Sequence, residues 1–470
     1  MTPNTPPAVP EVIQGGMGFY ISTPRLANIV SRLGGRGTVS GVALERVLAL
    51  ELQRGDIGGH FRRALARFPF PAIAEMVLKE FFIEEGNPLG LKPRSIPVFS
   101  IKPSPLLIAL CACANFSCIW LAKEGHDEPV SVNYLEKIAM PHIYAITGAM
   151  LAGVDFITMG AGLPFQVPDV ISAIIDGRTA NYDVPVIGQN IHSYTMSFDP
   201  EKFFGAKLPP LKRPGFIPIV ASNTLVWAIA KKIRKGMIVN GIVVEEPSAG
   251  GHNAPPRSNG AYGPDDEVDY SKIAKLLAEF NLPYWIGGSK ASPEKLKWAK
   301  SVGAAGIQVG SIFALCRESG MKSSIRRELC RIGYEGKLQV RTDMRVSPTG
   351  YPFKVVIFPG SMSEESVLAS RKKVCDQGVL RTLFEQLDGS IGYRCPAEPL
   401  DSYLAKGGKA EDTEDAGCMC GGLWSIAGLG DGGKPPLITM GDDVSFLPRI
   451  MKHSEDSYGA ADGLRYLRGY

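Results

Sequence analysis

The chain of 470 residues has little net charge: 51 Lys and Arg against 47 Asp and Glu leave +4. So small an excess over this length gives no electrostatic reason to expect a nucleic acid or an anionic membrane as partner, and a small molecule is expected instead. No charged-then-apolar leader opens the sequence, whose first ten residues are proline-rich and polar, and no sorting motif closes it, so the expected location is the cytoplasm. Histidine is scarce. The six present (His60, His126, His142, His192, His252 and His453) include no i, i+4 pair, which argues against a zinc hydrolase. No G-x-G-x-x-G follows the first apolar run, and no G-x-x-x-x-G-K-[ST] occurs anywhere.

Long uncharged runs are also rare. Residues 105–122 (PLLIALCACANFSCIWLA) form one just long enough to span a bilayer. It starts with proline, carries Asn115 and three cysteines, and has no bracketing basic or aromatic anchors, so a helix buried in the core is expected. The nine cysteines are an odd number in a long chain, which argues for thiols or metal ligands over a secreted disulfide framework. Four of them fall late, at Cys375, Cys395, Cys418 and Cys420. Four thiolates could hold zinc or an iron–sulfur cluster, but the C-x-x-C knuckle is absent and the gaps are long, so buried or redox-sensitive thiols are the plainer reading and no metal is assigned.

What the chain does have is a regular alternation of short apolar runs with helix-length segments. Strands are expected at 12–18, 37–41, 130–134, 156–163, 216–221, 238–246, 284–288 and 306–310, each followed by a helix or a helix-sized space. Thr23-Pro24, Ser222 or Asn223, and Ser292-Pro293 read as helix starts. Eight such units are the signature of a (β/α)8 TIM barrel of the α/β class, whose loops after the strands build the site. The expected barrel covers 10–355, with a helical insertion after strand two at 42–128 and a proline- and glycine-rich loop or hairpin excursion at 177–214. Residues 356–470 read as a C-terminal, mostly helical, cysteine-containing extension that cannot add a barrel unit.

The chemistry centres on 238–256 (IVNGIVVEEPSAGGHNAPP), where a β-branched run opens into a glycine-flanked histidine. Two glycines let a backbone approach a flat ligand closely, and an imidazole at a strand end can take or give a proton near neutral pH. His252 is the expected chemical group. Glu245 and Glu246 are adjacent on a strand, face opposite sides, and so are no paired-carboxylate site; at most one points to the barrel mouth, and the other reads as a solvated strand end. The turns Gly287-Gly288-Ser289 and Gln308-Val309-Gly310-Ser311 sit after the last two strands, where a barrel offers backbone N–H groups to a phosphate.

Several segments together resemble the nitronate monooxygenase family, formerly 2-nitropropane dioxygenases, which are FMN-containing β/α barrels. They are V-I-Q-G-G-M-G (12–18), V-N-Y-L (132–135), M-G-A-G-L-P (159–164), A-G-G-H (249–252), I-G-G-S (286–289), G-I-Q-V-G-S-I-F (306–313) and S-P-T-G (347–350). The resemblance implies His252 as catalytic base, with Gly16, Met17, Asn133, Gly250 and Gly251 against the flavin. It further implies that Gly287, Gly288, Gln308, Val309, Gly310 and Ser311 hold the ring edge and phosphate. Glu245 stands where the family often has glutamine, and an ionised carboxylate there would oppose a reduced, anionic flavin.

The implied activity is oxidation of alkyl nitronates or nitroalkanes with O2 to carbonyl compounds and nitrite. An FMN-dependent enoyl-thioester reductase using NAD(P)H is the rival, in which the histidine would donate a proton. A flavin-binding partner subunit of a biosynthetic complex is a third reading.

Overall fold

The computed structural model describes residues 9–87, 94–258, 260–429 and 433–470. Eight short strands form one parallel sheet: β1 (Val12–Gln14), β2 (Gly37–Ser40), β3 (Val130–Leu135), β4 (Phe156–Gly160), β5 (Gly215–Val220), β6 (Ile242–Glu245), β7 (Tyr284–Gly287) and β8 (Gly306–Val309). Their order is β1-β8-β7-β6-β5-β4-β3-β2. The two ends meet through the pairing of Ile13 with Arg36, where Gln14 N donates to Arg36 O at 3.0 Å and Arg36 N to Val12 O at 2.9 Å. The sheet is therefore closed, and the chain is a (β/α)8 TIM barrel.

Strand alternation stacks the interior in layers. Ile13, Phe156, Ile217, Val243 and Trp285 form an apolar cluster separate from the main core, which is the barrel floor. The Arg36 guanidinium lies 3.7 Å from the centre of the Phe156 ring, closing that floor from one side. Two residues further along the same strands come Gly15, Thr158, Ile219, Glu245 and Gly287. Apart from Ile219, which packs down on the floor, this upper layer is small or polar, so the C-terminal mouth stays open where the bottom is packed shut.

Helix starts follow the expected cap chemistry. Thr23 accepts from Leu26 N at the head of Pro24–Arg32, Ser222 from Leu225 N before Asn223–Ile233, and Ser292 from Lys295 N before Pro293–Ser301. The apolar helix Pro105–Ala122 is the one helix among the described residues long and apolar enough to cross a membrane, and it is mostly buried inside the protein. It packs between Pro24–Arg32 and His142–Leu151, taking the second outer position of the barrel. A Cβ on Gly148 would lie 2.2 Å from Ala112 O, so the two helices touch backbone to backbone. The last helix of 42–128 is thus part of the ring, and Leu44–Gln53, His60–Leu65 and Pro71–Phe81 pack over it.

The expectation for residues 356–470 needs correcting, whereas the 177–214 excursion is a hairpin as expected. The 177–214 excursion is a hairpin of Ala180–Ile187 and Ser193–Phe198, and strands Thr382–Glu385 and Ile391–Arg394 from the C-terminal stretch extend it into a four-stranded sheet outside the barrel. Residues beyond 356 therefore contribute strands as well as helices, because the hairpin edge offers unpaired backbone groups that only a distant segment covers. They also complete the eighth unit. Only the four-residue helix Ser311–Ala314 directly follows β8, and the outer place between Pro293–Ser301 and Pro24–Arg32 is filled by Ala460–Leu467. Its buried residues Ala460, Leu464 and Leu467 supply the apolar face that seals the ring.

Candidate active site

A cavity of about 1070 Å³, opening to solvent, lies over the upper layer at the strand C-termini. Its wall is built from main chain: the turn after β1 (Gly16, Met17), the loop after β6 (Gly250, Gly251), the turn after β7 (Gly287, Gly288) and the end of β8 with its turn (Gln308, Val309, Gly310, Ser311). Glu245 rises from β6 into the same space. An adjoining chamber shares Gly16, Glu245, Gly250, Gly251 and Gln308 and adds Asn133 and His252. All thirteen residues singled out from the sequence thus border one connected space, although they come from five strands.

The glycines are there for room. Gly288 has φ +95°, and a Cβ on it would meet Ser248 Oγ at 2.9 Å. At Gly250 a Cβ would lie 2.8 Å from Met440 C and 3.0 Å from Gly441 N, so the β6 loop rests directly on a second backbone segment. A Cβ on Gly16 would strike Asn133. Asn133 Oδ1 accepts from Thr158 Oγ1 at 2.8 Å, which fixes the amide and leaves its NH2 free to face the chamber.

His252 is held at the chamber edge by an edge-to-face contact with Phe353, ring centres 5.0 Å apart. Its Nε2 lies 2.8 Å from Ser347 Oγ and 3.2 Å from Thr349 Oγ1, and those two hydroxyls are 2.7 Å apart. Burial, with a smaller contribution from the nearby Lys137 charge, pulls the imidazole pKa down from 6.5 to about 3. The ring is neutral throughout the neutral range. That is the protonation state of a base, whereas an acid would need the charged form.

Glu245 and Glu246 part as the strand geometry requires. Glu246 turns outward, but it is no solvated strand end: it accepts from Tyr270 OH at 2.6 Å and pairs with the buried Lys290. Glu245 faces the cavity, and burial alone lifts its carboxyl from 4.5 to about 7. Near neutrality it spends much of its time as a neutral acid, offering one O–H donor and one carbonyl acceptor. A glutamine offers the same pair of functions, which removes the electrostatic objection raised by the sequence.

Sequence reading missed the far wall. Thr439, Met440 and Gly441 line the cavity from the C-terminal stretch, with Thr439 Oγ1 accepting from Gly251 N at 2.7 Å and Gly441 N donating to Ser311 Oγ at 3.0 Å. Nothing in I-T-M-G marks it as site-forming. Ser347 and Thr349, by contrast, lie inside the quoted S-P-T-G, which carried the signal without a role.

The site fits a flat, phosphate-bearing cofactor such as a flavin in its size, its side-chain-free glycine walls, and a neutral donor–acceptor pair at Glu245. No family model matches the chain and no curated protein matches it. Among solved structures it is similar to the enoyl reductase domain of MlnA from the macrolactin biosynthesis cluster of Bacillus amyloliquefaciens, at 11% identity over 97% of this chain and 93% of that one, TM-score 0.49. It is likewise similar to nitroalkane oxidase from Streptomyces ansochromogenes (11%, 97% and 94%, TM-score 0.45) and to FabK from Thermotoga maritima (15%, 86% and 93%, TM-score 0.41). The chain is a (β/α)8 TIM barrel by its own strand order, and these are proteins to which it is similar.

Proposed function

We propose that the chain is an FMN-dependent oxidoreductase of nitronate monooxygenase type, acting on alkyl nitronates or nitroalkanes with O2. The observation that supports this best is the neutral imidazole of His252 at the edge of a glycine-walled cavity, a group able to accept a proton from an acidic C–H. Bound flavin would supply the electron chemistry with oxygen. The chain's own residues do the rest. Gly250, Gly251, Gly287 and Gly288 admit the ring, and the turn at Gly310-Ser311 takes the phosphate. Glu245, as a neutral acid, would bond the polar edge of the ring, and the Asn133 amide would donate to it. Ser347 and Thr349 hold His252 by Nε2, which leaves Nδ1 as the nitrogen that would take the proton. The apolar floor around Trp285 keeps water from below.

A second cavity of about 1200 Å³, bordered by Thr349, Lys137 and Tyr351, leads toward His252. Its continuity with Thr349, which contacts His252, keeps a larger substrate, an enoyl thioester reduced with NAD(P)H, as the alternative. The test is to purify the protein, record its flavin spectrum, and mix it without oxygen with a nitronate or with NADPH. Bleaching by nitronate alone supports the proposal, and rapid bleaching by NADPH supports the alternative. A colourless preparation that takes up no FMN overturns both.

A further inference from the structure

Lys137 stands on the turn just after β3, and its buried Nζ has no hydrogen-bond partner among the described residues. It borders the second cavity, which admits water-sized groups over about 320 Å³. The other cations on that wall are engaged. Arg46 Nη2 donates to the carbonyls of Asp376 and Gln377 at 3.3 and 3.0 Å, and Arg381 to those of Gly378 and Phe99 at 3.2 and 2.8 Å. What covers Lys137 is the face of the Tyr351 ring, whose centre lies 3.1 Å from Nζ. Tyr351 is 40 % exposed, so its ring can turn out to solvent without opening the core.

An amine sealed from water and left without an acceptor loses its charge more readily than a surface lysine. Burial, opposed by a smaller contribution from the Glu136 charge, brings Lys137 down from 10.5 to about 7. Two kinds of ligand suit such a group: an anion that restores its charge, or an electrophilic carbon that takes its lone pair. The surroundings choose between them. Glu136 is adjacent and Glu45 borders the same cavity, so a second anion would meet like charge. His252, within reach of the Lys137 charge, is itself neutral near pH 7. Val98, Phe99, Ile138, Met140, Val184 and Leu380 give the cavity an apolar wall that suits a short hydrocarbon chain.

We propose that Lys137 captures uncharged aliphatic aldehydes as a reversible imine. The neutral Nζ adds to the carbonyl carbon, and the N–C bond forms as the π pair moves to oxygen. The nitrogen then gives up its two protons, the oxygen takes two and leaves as water, and the N=C double bond closes. No oxidant or reductant is consumed. The adjacent Glu136 carboxyl, raised by burial, can pass these protons and is unchanged at the end. Ile138, Ala161 and Leu380 border both this cavity and the His252 chamber, so a carbonyl compound formed in one has a short path to the other. Capture of an added aldehyde depends on no flavin reaction.

The full chain is incubated with butanal and sodium cyanoborohydride, which fixes an imine as a secondary amine, and the alkylated lysines are mapped by peptide mass spectrometry. At pH 7.5, where only about one exposed lysine in a thousand is uncharged, Lys137 should be labelled at least tenfold faster than the exposed lysines. That preference should shrink as the pH is raised to 10, where exposed lysines also lose protons, and vanish in urea. Glyoxylate, an anionic aldehyde, should show it less than butanal does. Labelling of Lys137 no faster than of exposed lysines overturns the proposal, as does a preference that survives unfolding. A stronger preference for glyoxylate would make the pocket an anion site and overturn it too.

Discussion

Replacing Glu245 by glutamine isolates the energetic cost of a carboxyl in the candidate flavin cavity. Burial raises its pKa from 4.5 to about 7, so the folded chain keeps a proton that the unfolded chain releases. Between those two values the unfolded state binds fewer protons, and stability therefore falls as pH rises. The full cost, about 3 kcal/mol, is reached above pH 7. It is a ceiling, because Glu245 is packed round by protein yet borders a cavity that water can enter. Glutamine carries no such proton, so Glu245→Gln should gain on the parent chain across the same window.

Urea unfolding of the flavin-free parent and variant from pH 4 to 9 reads the difference directly, since other titrating groups cancel. The difference should be flat below 4.5, widen in the variant's favour toward 7, and level off. FMN affinity should follow: similar for both proteins at pH 6, and weaker for the parent at pH 9. A stability difference that does not change with pH would refute the argument.

His252→Ala is expected to retain flavin yet lose at least a hundredfold in kcat/KM on a neutral nitroalkane, with smaller loss on a preformed nitronate; steady-state kinetics on both substrates decide. Ser347→Ala removes the 2.8 Å contact to Nε2 and should lower kcat about tenfold with KM little changed, measured the same way. Gly250→Ala drives a methyl into the Met440–Gly441 backbone, and the expected result is a loss of FMN affinity or about 1–3 kcal/mol of stability, followed by flavin fluorescence and thermal melting. Gly148→Ala meets Ala112 O across a backbone-to-backbone helix–helix contact of the ring and should destabilise by about 2 kcal/mol or more with no direct effect on the site.

The barrel was legible because its strands are buried on both faces and read as short, mostly apolar runs, and because Thr23, Ser222 and Ser292 announce helices in their own local sequence. Glycine turns pointed to the cavity wall for the same reason: a backbone that must approach a ligand is written in residues without side chains. What stayed hidden was whatever depends on a distant partner. The pairing of Leu383 with Val186 joins segments whose alternation says nothing about each other. Thr439 to Gly441 form a wall only because Gly250 lacks a Cβ to push them away. The role of Glu246 needed Lys290 and Tyr270 brought beside it. The protonation state of Glu245 depends on its surroundings, which no spacing rule conveys.

Ala460–Leu467 fills the ring's last vacancy from far down the chain, and this gives the molecule an order of assembly. Until that helix docks, Ile312 lacks its cover beside Gly463, and the first and final strands lack the buttress across the seam where they join. Joining this helix to Pro24–Arg32 brings together distant parts of the chain, and the entropic cost of such a closure grows with the length of free chain between them. A trimmed version stopping soon after the eighth strand would keep every strand and still gape at the seam.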